Sequence, residues 1–125
     1  MNNEFFKNNN QSEFLKEVKG KKLVLFGASE QMKESLKKFI NPNGLSVAYA
    51  VDNDYRLWYS TVFGIDIYEP ERLKTEDPDN LVVLITSRYP FRIEKQIKTY
   101  GINTYYSWHL FLEEHIGRYQ FMVFF

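Results

Sequence analysis

The chain contains no cysteine, which excludes a disulfide framework, a thiolate nucleophile and a Cys-type zinc site. It also lacks net charge, because sixteen basic and sixteen acidic residues cancel. No global field therefore steers it toward nucleic acid or an anionic membrane surface. No apolar run approaches the roughly 20 residues of a membrane-spanning helix. The Asn-rich start, Met1 to Asn10, has no signal-peptide core. The expectation is a cytoplasmic protein with no membrane span and no nucleic-acid partner.

What is present is ordinary for a globular protein: 125 residues, 44% hydrophobic and 26% charged. That length fits one domain over residues 1–125, with a frayed lead-in at 1–10 and an aromatic tail at 117–125. Eleven Phe, nine Tyr and two Trp can fill a core and leave rings for a contact patch. The tail Phe121 to Phe125 is uncharged and strand-prone. It needs covering, by an edge position in a sheet or by a second copy, so a homodimer through aromatic surfaces is one expected partner.

Patterning sets the order of elements. Ser12 caps a short helix to about Val18, and Gly20 ends it. Leu23 to Phe26 is an unbroken apolar run, as in a strand buried on both faces. After Gly27, Ser29 caps a helix with Met32, Leu36, Phe39 and Ile40 at helical spacing. Val47 to Val51 is a second strand, Tyr55 to Gly64 an aromatic loop and Ile65 to Tyr68 a third strand. Pro70 opens a brief helix to Leu73, and Thr75 to Asn80 is a polar loop. Leu81 to Ile85 is the fourth strand, and Pro90 starts a helix with Ile93, Ile97 and Tyr100 inward. Thr104 to Tyr106 is a fifth strand, and Ser107 caps a helix from Trp108 to about Ile116. Alternating strands and helices, with no repeat and no linker, predict an α/β fold: a three-layer Rossmann-like domain with a mainly parallel sheet in the order 3-2-1-4-5.

The chemistry concentrates at strand ends. Lys22 to Leu36 reads as buried strand, glycine turn and amphipathic helix, which exposes main-chain N–H groups at a positive dipole end. Gly27, Ala28, Ser29 and Glu30 form that turn. The dinucleotide fingerprint has three glycines there; Ser29 stands at the second and Met32 at the third. Gly27 thus opens a phosphate site or simply turns the chain. Asp52 follows Gly27 by 25 positions and, with Asn53, is a ribose acceptor or, with Asn53 and Asp54, a turn. Ser87 and Arg88 end the fourth strand, where ligands of doubly wound sheets bind; Ser87 can donate to a phosphate or sugar and Arg88 can pair with an anion. The paired carboxylates Asp52 and Asp54 lack further cation ligands, and His109 and His115 point different ways on one helix. No catalytic residue and no metal site emerges. Tyr89 is the single nearby proton donor for an oxidoreductase.

These residues carry a family resemblance. Lys22-Leu23-Val24-Leu25-Phe26-Gly27-Ala28 is joined by Val51-Asp52-Asn53-Asp54, Leu57-Trp58, Gly64-Ile65 and Tyr68-Glu69-Pro70-Glu71-Arg72-Leu73. Val83-Leu84-Ile85-Thr86-Ser87-Arg88-Tyr89 and Tyr100-Gly101-Ile102 continue the set. Together they resemble the Rossmann-like, CoA- or NAD-binding-like domains of bacterial polysaccharide-biosynthesis proteins. Such domains precede sugar acetyltransferases and nucleotide-sugar epimerases or dehydratases. The resemblance implies a nucleotide-sugar or dinucleotide binding module, with NAD(P) or a UDP-sugar as the ligand at Gly27, Ala28, Asp52 and Ser87. It also implies that catalysis belongs to a neighbouring domain. The alternative is a divergent interaction or oligomerisation module that has lost its ligand.

Overall fold

The computed structural model describes residues 10–111. The first helix, α1, is Gln11–Glu17, and its cap is Asn10 rather than the expected Ser12: the Asn10 side chain accepts from the Glu13 amide at 2.8 Å. Then follow β1 (Lys22–Phe26), α2 (Glu30–Ser35), β2 (Tyr49–Val51), β3 (Thr61–Val62), β4 (Ile65–Tyr68), β5 (Leu81–Ile85), α3 (Pro90–Thr99) and β6 (Tyr105–Ser107). α2 runs on into a π-helical turn, Leu36–Ile40, closed by Asn41 N–H donating to the Leu36 carbonyl. The wider turn places Leu36, Phe39 and Ile40 all against the core.

The fold is α/β, with one mainly parallel six-stranded sheet in the order β3-β4-β2-β1-β5-β6. The expected order 3-2-1-4-5 differs from this, because the segment read as an aromatic loop, Tyr55 to Gly64, contains β3. That strand pairs antiparallel with β4, Thr61 opposite Asp66 and Val62 opposite Ile65. The two hairpin residues, Phe63 and Gly64, both have positive φ, 51° and 81°, as a type I′ turn requires. A phenylalanine at the first of those positions hides the hairpin, since Asn, Asp or Gly is its usual sign. The parallel members run β4-β2-β1-β5-β6.

Alternation divides the core into two halves. Leu23, Leu25, Ala50, Ile67, Val82, Leu84 and Tyr106 point to one face, where Phe14, Met32, Leu36, Phe39, Ile40, Trp108 and Phe111 cover them. Phe14, Phe39, Tyr106 and Phe111 meet there in tilted or edge-on pairs with ring centroids 5.3–6.3 Å apart, geometry that aromatic quadrupoles favour. Val24, Phe26, Val51, Val83 and Ile85 point to the other face, under Leu73, Ile93, Ile97 and Ile102. Because β1 connects to β2 on one side and β5 to β6 on the other, same-handed crossovers must place α2 and α3 on opposite faces.

At the amino ends of β1 and β2 a polar cluster fastens the sheet to the 3₁₀ segment Pro70–Thr75. Tyr49 donates to Glu76 at 2.6 Å, Lys22 pairs with Glu76 at 3.0 Å, and the Arg72 guanidinium lies over the rings of Tyr49 and Tyr68. Burial alone would raise the Glu76 pKa, but hydrogen bonds from Tyr49 and Lys22 and the nearby cations outweigh it, holding the carboxyl below its ordinary value. Burial, then the bond to Glu76, pushes Tyr49 well above the ordinary phenol value. A lowered carboxyl contributes stability above its unfolded pKa, about 4.3, that is lost as pH falls through the folded value. A raised phenol contributes stability below about 10 that is lost as pH rises. Urea titrations across pH should show both losses, and Glu76→Gln should flatten the acid-side loss. An unchanged acid limb in that variant would refute this account.

Candidate functional site

Gly27 follows β1 with φ of +120°, and a Cβ there would lie 2.7 Å from the Thr86 carbonyl oxygen. Only glycine satisfies both the dihedral and the contact. The buried Thr86 hydroxyl donates to the Gly27 carbonyl at 2.7 Å, so the ends of β1 and β5 are joined directly. The Gly27 amide donates to the Val51 carbonyl at 2.8 Å, and the Ala28 amide to Asp52 Oδ2 at 2.8 Å. Two N–H groups of the expected phosphate-gripping turn are therefore already engaged by the protein itself. Asp52 Oδ1 accepts from the Asp54 amide at 2.7 Å, and the Asp52 carbonyl from the Trp58 indole at 2.7 Å. Its carboxylate ties the end of β1 to the loop after β2, as a turn residue does.

A cavity of about 190 Å³ nevertheless opens beside these groups, lined by Phe26, Gly27, Asp52, Asn53, Ser87, Tyr89, Arg92 and Ile93. It lies at the carboxyl ends of β1, β2 and β5, where the chain leaves β1 toward one face and β5 toward the other. Crevices of doubly wound sheets form at such a reversal. Asn53 and Gln96 exchange two hydrogen bonds, 2.9 and 2.8 Å, linking the end of β2 to α3. Ser87 Oγ accepts from the Tyr89 amide at 3.1 Å and shapes the turn into α3.

Of the residues singled out in the sequence, Gly27, Asp52, Asn53 and Ser87 converge on this crevice. Ala28 is buried beside it, Ser29 and Glu30 are exposed at the start of α2, and the Ser29 side chain makes no cap bond. Arg88 lines a second hollow, with Tyr89, Pro90, Phe91, Arg92, His109 and Leu110. Asp54 is occupied as a cap for residues 55–57 and by Arg56, whose hydrogen bonds hold its carboxyl below the usual range. Among the described residues no group of three or more His, Asp or Glu could hold a metal. His115 and the tail at 117–125 lie outside the described residues.

Arg92 is the residue that sequence reasoning missed. It sits in the first turn of α3, which carries no acidic residue, and its guanidinium lies 5.4 Å from the Tyr89 ring. Among the described residues no carboxylate pairs with Arg92 or Arg88. A cation at a helix N-terminus opposes the dipole, and that local conflict was the signal available.

Residues 19–106 match the family model described as C2185-like, N-terminal. The chain belongs to the C2185-like N-terminal family. No curated protein matches it. The C2185-like match takes in β1 to Tyr106 of β6, and with them every residue that lines the crevice. No described helix of this C2185-like domain is long and apolar enough to cross a membrane.

Gly27 is the joint on which the crevice closes. Gly27→Ala should cost roughly 2–4 kcal/mol of stability, from the left-handed dihedral and the clash with Thr86. Chemical denaturation measures it; a loss below about 0.5 kcal/mol would mean that the turn relaxes freely.

Proposed function

We propose that this domain is a non-catalytic, cytoplasmic binding module of Rossmann-like architecture for a nucleotide-type small molecule, held in the crevice beyond β1, β2 and β5. The observation that carries the reading is the crevice itself. It combines an apolar floor, Phe26 and Ile93, with convergent polar groups, Asp52, Asn53 and Ser87, and a cation without a carboxylate partner, Arg92. Apolar walls with a few polar groups are what small-ligand sites present. The resemblance of the sequence to polysaccharide-biosynthesis domains supports a nucleotide sugar or NAD(P) within that class and a role linked to glycan metabolism. The anion-binding group in this reading is the Arg92 side chain, since the Gly27 and Ala28 amides are engaged.

A panel of UMP, UDP-sugars, AMP and NAD(H) in thermal-shift and calorimetric titrations tests it. A ligand at about 100 times its Kd should raise Tm by about 10 °C. Arg92→Gln should remove most of that rise. No shift with any of these nucleotides would overturn the assignment.

One observation favours a second reading, an interaction module. Tyr55, Tyr59 and Phe63 are 72%, 70% and 48% exposed, and Tyr59 and Phe63 hold positive φ. Strained dihedrals that display rings to solvent suggest a surface kept for contact. In that case light scattering should report a dimer that Tyr59→Ser with Phe63→Ser converts to a monomer. A monomer at every concentration would remove the self-association version.

A further inference from the structure

The crevice by itself accommodates only part of a nucleotide-sized ligand. Its volume is about 190 Å³, below the roughly 300–1,000 Å³ of small-molecule pockets. The second hollow, about 370 Å³, is lined by Arg88, Tyr89, Phe91, Arg92 and His109, with Pro90 and Leu110 completing the wall. Two residues belong to both linings: Tyr89 and Arg92. A ligand that fills both spaces must therefore pass along Tyr89 and beside the Arg92 guanidinium.

Where the two linings meet, and along the hollow beyond, the charged side chains are arginines. Arg88 and Arg92 lack carboxylate partners among the described residues, although the chain as a whole is neutral. The first turn of α3 adds its dipole to them and carries no acidic residue. Like charges gathered at a concave surface raise its potential and are relieved by a bound anion. The exposed rings of Tyr89 and Phe91, 61% and 49% accessible, supply flat apolar walls beside that charge.

We propose that the two spaces form one bipartite site for a nucleoside diphosphate ester, a ligand class that deepens the nucleotide reading above and rests on it. The crevice takes one end of the molecule and the hollow at the start of α3 takes the other. The diphosphate between them lies along Arg92 and Arg88. The anion is thus held by the turn from β5 to α3 and not by the turn from β1 to α2.

Calorimetry on the full chain with matched probes tests the arrangement: UMP against UDP-glucose, AMP against NAD⁺, and inorganic pyrophosphate alone. Each diphosphate ester should bind at least about tenfold more tightly than its mononucleotide. Arg88→Gln lies outside the crevice and is exposed, so the variant should fold, which its thermal melt checks. It should collapse that preference to less than about threefold. Equal affinity for ester and mononucleotide, or an undiminished preference in Arg88→Gln, would overturn the bipartite site while the nucleotide reading survived. Pyrophosphate binding that needs Arg88 and Arg92, with no nucleotide bound, would overturn the nucleotide reading and leave the anion hollow standing. Binding of none of the probes would overturn both.

Discussion

Everything in this domain is arranged around two adjacent strands that are apolar on both sides. β1 and β5 pair in parallel from Lys22 opposite Leu81 to Phe26 opposite Ile85, and every residue of the pair but Lys22 is buried. Such strands cannot face water on either side, so both faces must be covered by helices. Parallel pairing also forbids a short hairpin between them. Their carboxyl ends therefore emerge side by side with the chain departing in opposite directions. The crevice follows from that departure. Beside it Gly27 and Thr86 are in contact, where the absence of a side chain lets the two strand ends meet.

Electrostatics then distinguishes the two turns that border the crevice. In the turn after β1 the Asp52 carboxylate receives the Ala28 amide, and Glu30 stands in the first turn of the helix that follows. Negative charge already stands beside that helix start. The turn after β5 is the reverse: Arg88 and Arg92 flank a helix start that has no acid. A phosphate approaching the first turn meets a carboxylate, while one approaching the second meets two guanidinium groups. This difference in sign, more than the number of glycines, decides which turn is suited to an anion.

Much of the architecture was legible in the sequence, because apolar runs and helical spacing report burial directly. Leu81–Ile85 and Ile65–Tyr68 are strands with the bounds their patterns indicate, and Ile93 and Ile97 of α3 are buried as their spacing requires. Edge elements were harder. β3 is only two residues long and its turn has Phe63 where turn formers are expected, so neither periodicity nor turn chemistry marked it. The cap of α1 is displaced from Ser12 to Asn10 because both residue types suit the role and local pattern does not rank them. At the site, strand ends located Gly27, Asp52, Asn53 and Ser87 together. The occupation of the Ala28 amide was not readable, since it depends on a side chain 24 positions away. Arg92 is hidden for the opposite reason: it lies within the first turn of α3, four positions past Arg88, where helical spacing marks Ile93 and Ile97 and gives a charged neighbour no distinction.

The absence of two of the three fingerprint glycines takes a different meaning in this light. Met32 stands at the third glycine position and is fully buried, packed in the core half that also holds Leu25, Leu36 and Phe39. A helix seated on so large a side chain is held off the strand, where a glycine would let it approach closely. Ser29 at the second position is exposed and caps nothing, so it contributes no new donor to replace the open approach that a glycine offers. The amide between them and Gly27 is closed by Asp52. Ser29, Met32 and Asp52 thus act on three different requirements of phosphate binding at that bend: close approach, a tight helix and a free donor. What the bend retains is the single glycine that the strand ends need in order to meet. A ligand that enters this crevice must find its counter-charge elsewhere on the rim, and the rim offers it at the start of α3.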